Sequence, residues 1–339
     1  MRLAPSIIVF LLAAGIIAAL PFVAGNYVLR LATIGFMYVT LASSWNLLGG
    51  FAGYPSFATA AFFGLGAYGC AVLRADLALP LLFAWMTGAG VAGLFALCLG
   101  PAILRLRGHY FAVASLVLAP VLREIVNSAT SITGGGMGLN LPAAAALPVT
   151  VMDRLYYGSM LAAACLACSL ASFIARSRLG WALRCIEQNE NAAAVLGVNT
   201  LAAKVAAFTA SAALAGLAGA IYATWIGYID PSDVFDDLLS IKPIVMCFIG
   251  GVGTAIGPVV GAFAFLVLEE TLWRNFLNFH AGILGLLIVI LLVFLPGGVG
   301  RWSRRDSRDN LGYVALKIFS VLIPRGLRLR QRKPTRSPS

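Results

Sequence analysis

Long apolar runs alternate along this chain with short polar or glycine-rich breaks. The runs cover residues 7–24, 28–48, 56–73, 80–100, 109–126, 157–175 and 204–227. Each is close to the ~20 residues a helix needs to cross a hydrocarbon core, where backbone polar groups must be satisfied within the segment. Beyond Ile241 the pattern changes. One stretch to Leu268 is interrupted by Gly250, Gly251, Gly253, Gly257 and Pro258, and a last run covers 281–296. The pattern predicts an all-α, polytopic transmembrane helix bundle of about ten segments, counting 241–268 as a glycine-broken hairpin.

Composition agrees. At 60% hydrophobic, 11% charged and a mean hydropathy of +0.92, the chain lies outside the range of soluble domains. Its 36 glycines suit lipid-embedded helices, because small residues let backbones approach closely. Gly253, Gly257 and Gly261 recur every four residues and are expected on one helix face, as packing or pathway positions; Ala212, Gly216 and Ala220 repeat the spacing in the preceding run.

The net charge of +11 is unevenly placed. Residues 301–339 hold eleven Lys and Arg against two Asp, whereas residues 1–300 are nearly neutral. This divides the chain into a transmembrane domain, 1–300, and a basic tail, 301–339, partly disordered and facing anionic lipid, with Leu311 to Ile323 as a short amphipathic helix. Nucleic acid is not an expected partner. The positive-inside rule puts Arg105 with Arg107, then Arg176, Arg178 and Arg184, then the tail, in the cytoplasm. Alternation from an inside Arg2 satisfies all three if 241–268 enters and leaves on one side, with both termini cytoplasmic. Asp230, Asp233, Asp236 and Asp237 then face outward. The N-terminus, with Arg2, an apolar run and Val23-Ala24-Gly25, has the three regions of a signal peptide, although an uncleaved first helix is expected.

Candidate chemistry is sparse. Six cysteines lie mostly in apolar runs; Cys165 and Cys168 form a lone CxxC, and only His109 and His280 exist, so no metal site is expected. No phosphate-binding GxxxxGK[ST] loop occurs, so no cofactor is expected and any ATP would be used by a partner. Asp76, Glu124, Glu269 and Glu270 fall at segment ends, where they read as solvated charges. A membrane-embedded enzyme is disfavoured, since no nucleophile with a base and no paired intramembrane carboxylates are found.

The most informative polar segment is 176–204, RSRLGWALRCIEQNENAAAVLGVNTLAAK. About thirty residues are far more than a turn needs, and their helical propensity suggests a docking surface. This segment resembles the coupling loop of bacterial ABC importer permeases, specifically those of the branched-chain amino acid (LivM-like) type. Glu190, Ala192, Ala193 and Gly197 stand at the positions of that family's Glu-Ala-Ala…Gly motif, preceded by Arg184 and followed by Asn199 and Lys204, with Asn191 inserted in the triplet. The resemblance covers nearly all of 29–296: Trp45-Asn46-Leu47 with Gly49, Gly50 and Gly53, then Gly64-Leu65-Gly66-Ala67-Tyr68, Arg107-Gly108-His109-Tyr110-Phe111 and Gly250-Gly251-Val252-Gly253-Thr254. Tyr54-Pro55 and the basic tail depart from the pattern.

The resemblance implies a multi-pass subunit of the bacterial inner membrane, working with a second homologous permease chain, two cytoplasmic ABC ATPase subunits and a periplasmic solute-binding protein. Arg184, Glu190, Ala192, Ala193, Gly197 and Asn199 would form the ATPase-coupling surface. The outer segments 230–237 and 127–156 would be candidates to meet the binding protein. The cargo would be branched-chain or other neutral amino acids, with urea or short amides as the alternative. An ion-coupled secondary transporter is the rival of another class.

Overall fold

The computed structural model describes Pro21 and residues 25–77, 79–141 and 148–275. The expected first and last apolar runs, His280 and the basic tail lie outside the described residues. Within them the chain is almost wholly helical. Among the described residues, five helices are long and apolar enough to cross a membrane. They are α1 (Asn26–Trp45, continued by a π turn Asn46–Gly50), α3 (Leu81–Ile103), the pair α4 (His109–Leu116) and α5 (Leu118–Ser128), α7 (Val149–Arg176) and α9 (Thr200–Ile226). Helix α2 (Thr59–Leu77) is apolar but shorter over its hydrophobic part, and α6 (Thr130–Thr133) is a single turn.

Helix α9 is central. It packs most extensively on α3 and α2, and also meets α1 and α7, while α1 packs on α7. Close approach explains the small residues here. A Cβ on Gly216 would stand 2.5 Å from the Ala92 Cβ, one on Gly66 2.1 Å from the Gly216 carbonyl oxygen, and one on Gly219 2.0 Å from that of Phe63. In lipid there is no hydrophobic drive between helices, so such backbone contacts carry the packing.

The 241–268 stretch is the expected hairpin. Helix α11 (Leu238–Gly250) and α12 (Gly257–Asn275) are joined by a turn in which Gly251 and Gly253 have φ of 114° and 75°. At 13 residues, α11 reaches about 20 Å, short of a hydrocarbon core. The glycine stripe is corrected in one respect: α12 begins at Gly257, so Gly253 belongs to the turn and only Gly257 and Gly261 share a helix. A Cβ on Gly261 would lie 1.8 Å from the Met246 carbonyl oxygen, so the pair serves the α11–α12 crossing. Gly216, by contrast, packs in the α9–α3 seam.

At the far end of α9, a two-stranded antiparallel sheet pairs β1 (Leu139–Asn140) with β2 (Tyr228–Ile229). This brings the 127–156 segment, as far as it is described, against the acidic one. Asp230 caps the short helix α10 (Pro231–Val234) through the Ser232 N–H at 2.6 Å, and Asp236 accepts from the Leu238 N–H at 3.0 Å.

Candidate functional site

Helix α8 (Arg178–Val195) lies at the opposite end of α9 from that sheet. Its three boundaries follow from local chemistry. Ser177 starts it, accepting from the Gly180 N–H at 3.4 Å. Gly180 is needed for closeness: a Cβ there would sit 2.1 Å from the Ile174 carbonyl oxygen, where α7 turns into α8. Asn189 breaks the helix, with an extended backbone (φ −162°, ψ 106°), and its side chain recaps the second part by accepting from the Ala192 N–H at 3.1 Å. The end is a Schellman turn: Val198 N–H bonds the Ala193 carbonyl at 3.1 Å and Gly197 N–H that of Ala194 at 3.0 Å, with Gly197 at φ +86°. Asn199 then caps α9 through the Ala202 N–H at 3.0 Å.

One face of α8, with Gly180, Leu183, Ile186 and Ala193, is buried against the bundle. The opposite face exposes Trp181, Ala192, Val195 (88%) and Leu196 (79%). Arg184 is half-buried, its guanidinium carbon 5.8 Å from the Trp181 ring centre. Of the expected coupling residues, then, Ala192, Gly197 and Asn199 are exposed, Arg184 and Glu190 partly so, and Ala193 faces inward.

Glu190 is the most heavily bonded of them. Its Oε1 accepts from Lys204 Nζ at 2.7 Å, Tyr54 donates its hydroxyl to Oε2, and Arg107 Nε stands 3.8 Å from Oε2. Lys204 is almost fully buried and completes its three donors with the Leu104 carbonyl at 2.9 Å and the Tyr54 hydroxyl at 3.2 Å. The ammonium also lies 4.5 Å from the Tyr54 ring centre. Arg107 Nη1 donates to Asn191 Oδ1 at 2.9 Å, so the inserted asparagine joins the same cluster. Burial works against the Glu190 charge, but the Lys204 and Tyr54 hydrogen bonds, with the charges of Lys204 and Arg107, outweigh it and hold the carboxyl below its ordinary pKa. Burial and then the neighbouring Glu190 push the Tyr54 phenol up, keeping it a donor.

Tyr54, noted in the sequence only as a departure, is thus an anchor. A second cluster escaped sequence reasoning altogether. Lys242 on α11 pairs with Glu269 on α12 at 2.7 Å, and its ammonium lies 5.6 Å from the Tyr38 ring centre on α1. Both side chains are largely covered, so Glu269 is not the solvated terminal charge that was expected. A lysine at the start of a glycine-broken apolar run was the available signal. Cys165 and Cys168 are free thiols in mid-α7, and the described residues hold no metal-binding group.

Comparison with known proteins fits this arrangement. Residues 27–295 match the family described as "Branched-chain amino acid transport system / permease component". The chain is 28% identical to the high-affinity branched-chain amino acid transport system permease protein LivM of Escherichia coli, over 89% of this chain and 77% of that protein. It is 30% identical to LivH of Salmonella typhimurium over 39% of this chain and 43% of that one. The autoinducer 2 import system permease protein LsrC of Yersinia pseudotuberculosis is 30% identical over 37% of this chain and 38% of its own. No solved structure matches. With its helical bundle and a family match over most of its length, the chain belongs to the branched-chain amino acid transport permeases, multi-pass proteins of the inner membrane.

Proposed function

We propose that this chain is the non-catalytic membrane subunit of an ATP-driven importer that admits branched-chain or other neutral amino acids released by a periplasmic binding protein. A second permease chain completes the pathway, and of the two cytoplasmic ATPases one docks on α8 of this chain. The carrying observation is the exposed apolar tip Val195-Leu196, held out by a Schellman turn whose first part is anchored in the bundle. On the cytoplasmic side expected for α8, a groove on a partner would cover such a tip. The cargo reading rests on the LivM and LivH relatives; the LsrC relative supports keeping the solute class open, with urea or short amides as the alternative. Alternating access would then be a population shift between two packings, driven by nucleotide in the partner.

The test is radiolabelled leucine uptake in cells carrying wild type, Val195→Glu or Gly197→Arg, with recovery of the ATPase from the same membranes. The expected result is normal membrane abundance with loss of both uptake and ATPase. Uptake that survives in both variants refutes ATPase docking at α8. Wild-type uptake of urea but not leucine changes only the cargo.

A further inference from the structure

Glu190 belongs to the segment expected to touch the ATPase, yet its carboxylate is consumed within this chain. Oε1 is held by Lys204, in the first turns of α9; Oε2 is held by Tyr54, just after the π turn that ends α1. The same ammonium bonds the Leu104 carbonyl, at the C-terminus of α3, where a cation also complements the helix dipole. Tyr54 packs edge-on to Phe111 of α4 with ring centres 5.5 Å apart, and Phe111 meets Phe208 of α9 at 6.3 Å. Glu190 is thus held directly by α9 and by the segment that follows α1, and through Lys204 and Tyr54 it is tied to α3 and α4.

We propose that the Glu190–Lys204–Tyr54 cluster is the joint through which movement of α8 enters the membrane helices, and that Glu190 is a positioning residue and not an ATPase contact. This rests on the docking of α8 put forward above. The physical reason is stiffness. Separating the pair would leave Lys204 buried without its counter-charge, which is far costlier than sliding apolar surfaces past one another. The break at Asn189 sharpens the point, since it lets the short Glu190–Val195 helix swing relative to Arg178–Gln188 while Glu190 stays fixed to α9. A displacement imposed at Val195 and Leu196 is thus handed to α9, α3 and α1 together, not absorbed in the loop.

The experiment uses the complete transporter in proteoliposomes, measuring ATP hydrolysis, leucine uptake and ATPase retention. The informative variant is the double neutral one, Glu190→Gln with Lys204→Met, because it leaves no orphaned charge. It is expected to retain the ATPase and hydrolyse ATP within twofold of wild type, while leucine imported per ATP falls at least tenfold. Tyr54→Phe, which removes one hydroxyl and no charge, should move that ratio the same way by a smaller factor. An unchanged ratio in both variants would make the pair a static staple and overturn the proposal. Loss of the ATPase from the double variant would make Glu190 a docking contact and overturn it too. Val195→Glu separates the two levels: if it leaves the ATPase bound, docking at α8 is wrong whatever the ratio does.

Discussion

Asn46 and Gly253, 207 positions apart, are joined at the heart of the bundle. The Asn46 Oδ1 accepts from the Gly253 N–H at 2.9 Å, while its Nδ2 donates to the Thr254 carbonyl at 2.8 Å. One fully buried amide thus closes the α11–α12 turn onto the π turn of α1. Gly50 leaves room for it, since a Cβ there would lie 1.9 Å from that same Oδ1.

Replacing Asn46 by Asp sets an acceptor against the Thr254 carbonyl and buries a charge. We expect destabilisation of roughly 3 kcal/mol, read as a lowered midpoint of thermal unfolding in detergent. A midpoint within one degree or so of wild type would mean that water replaces the bond.

Gly261→Ala should prevent α11 and α12 from closing, because the new methyl would meet the backbone of Met246 and Gly250, not a yielding side chain. Yield of monodisperse protein on size-exclusion chromatography should collapse. Gly90→Ala, where an added Cβ meets nothing within 4 Å, should behave as wild type. Equal yields for the two would refute the close crossing.

Glu190 makes stability depend on pH in a stated direction. Its folded pKa lies below the unfolded value of about 4.5, so its contribution is fully present above that pH and is lost as the pH falls through the folded pKa. In acid titrations of the purified chain, Glu190→Gln should show a smaller drop in unfolding midpoint below about pH 4.5 than wild type. Parallel curves would show that the carboxyl titrates normally.

Lys242 and Glu269 should be worth more broken than absent. Glu269 lies about 18 Å along α12 from Gly257, within the bundle, where an unpaired charge is costly. Lys242→Met alone should destabilise by about 3 kcal/mol, whereas Lys242→Met with Glu269→Gln should recover most of that loss. Detergent thermal shifts of wild type, the single and the double variant decide it; additive losses would show that the two side chains act independently.

Much of this architecture could be read directly. Apolar run length placed α1, α3, α7 and α9 to within a few residues, except that α7 starts eight residues early, carrying Asp153 and Arg154 into the helix. The hairpin at 241–268 was legible because its glycines and the charge of the tail agreed. The α8 segment was legible because about thirty polar, helix-prone residues are far more than a turn needs, whereas its caps at Ser177, Asn189 and Asn199 emerged only in the structure. What escaped was pairing between distant positions. Tyr54 looked like a departure and Lys204 a flanking cation, and nothing local says that both meet Glu190. Gly253 shows the converse failure: four-residue spacing suggested a helix face, but positive φ needed a glycine in the turn just before that helix. Lys242 was hidden by its apolar neighbours, and its partner was misread as solvated because chain position does not report what covers a helix end.

The placement of α9 has one more consequence. Its 27 residues make a rod about 40 Å long, with α8 leading directly into one end and β2 leaving the other. Pivoted near its middle, such a rod acts as a lever: a tilt of about 5° moves each end by roughly 2 Å in opposite senses. A push where Lys204 holds Glu190 would be felt as a shift of the strand pair and the acidic turn beyond it, so events on one side of the membrane can be reported on the other without any signal passing through a side-chain relay.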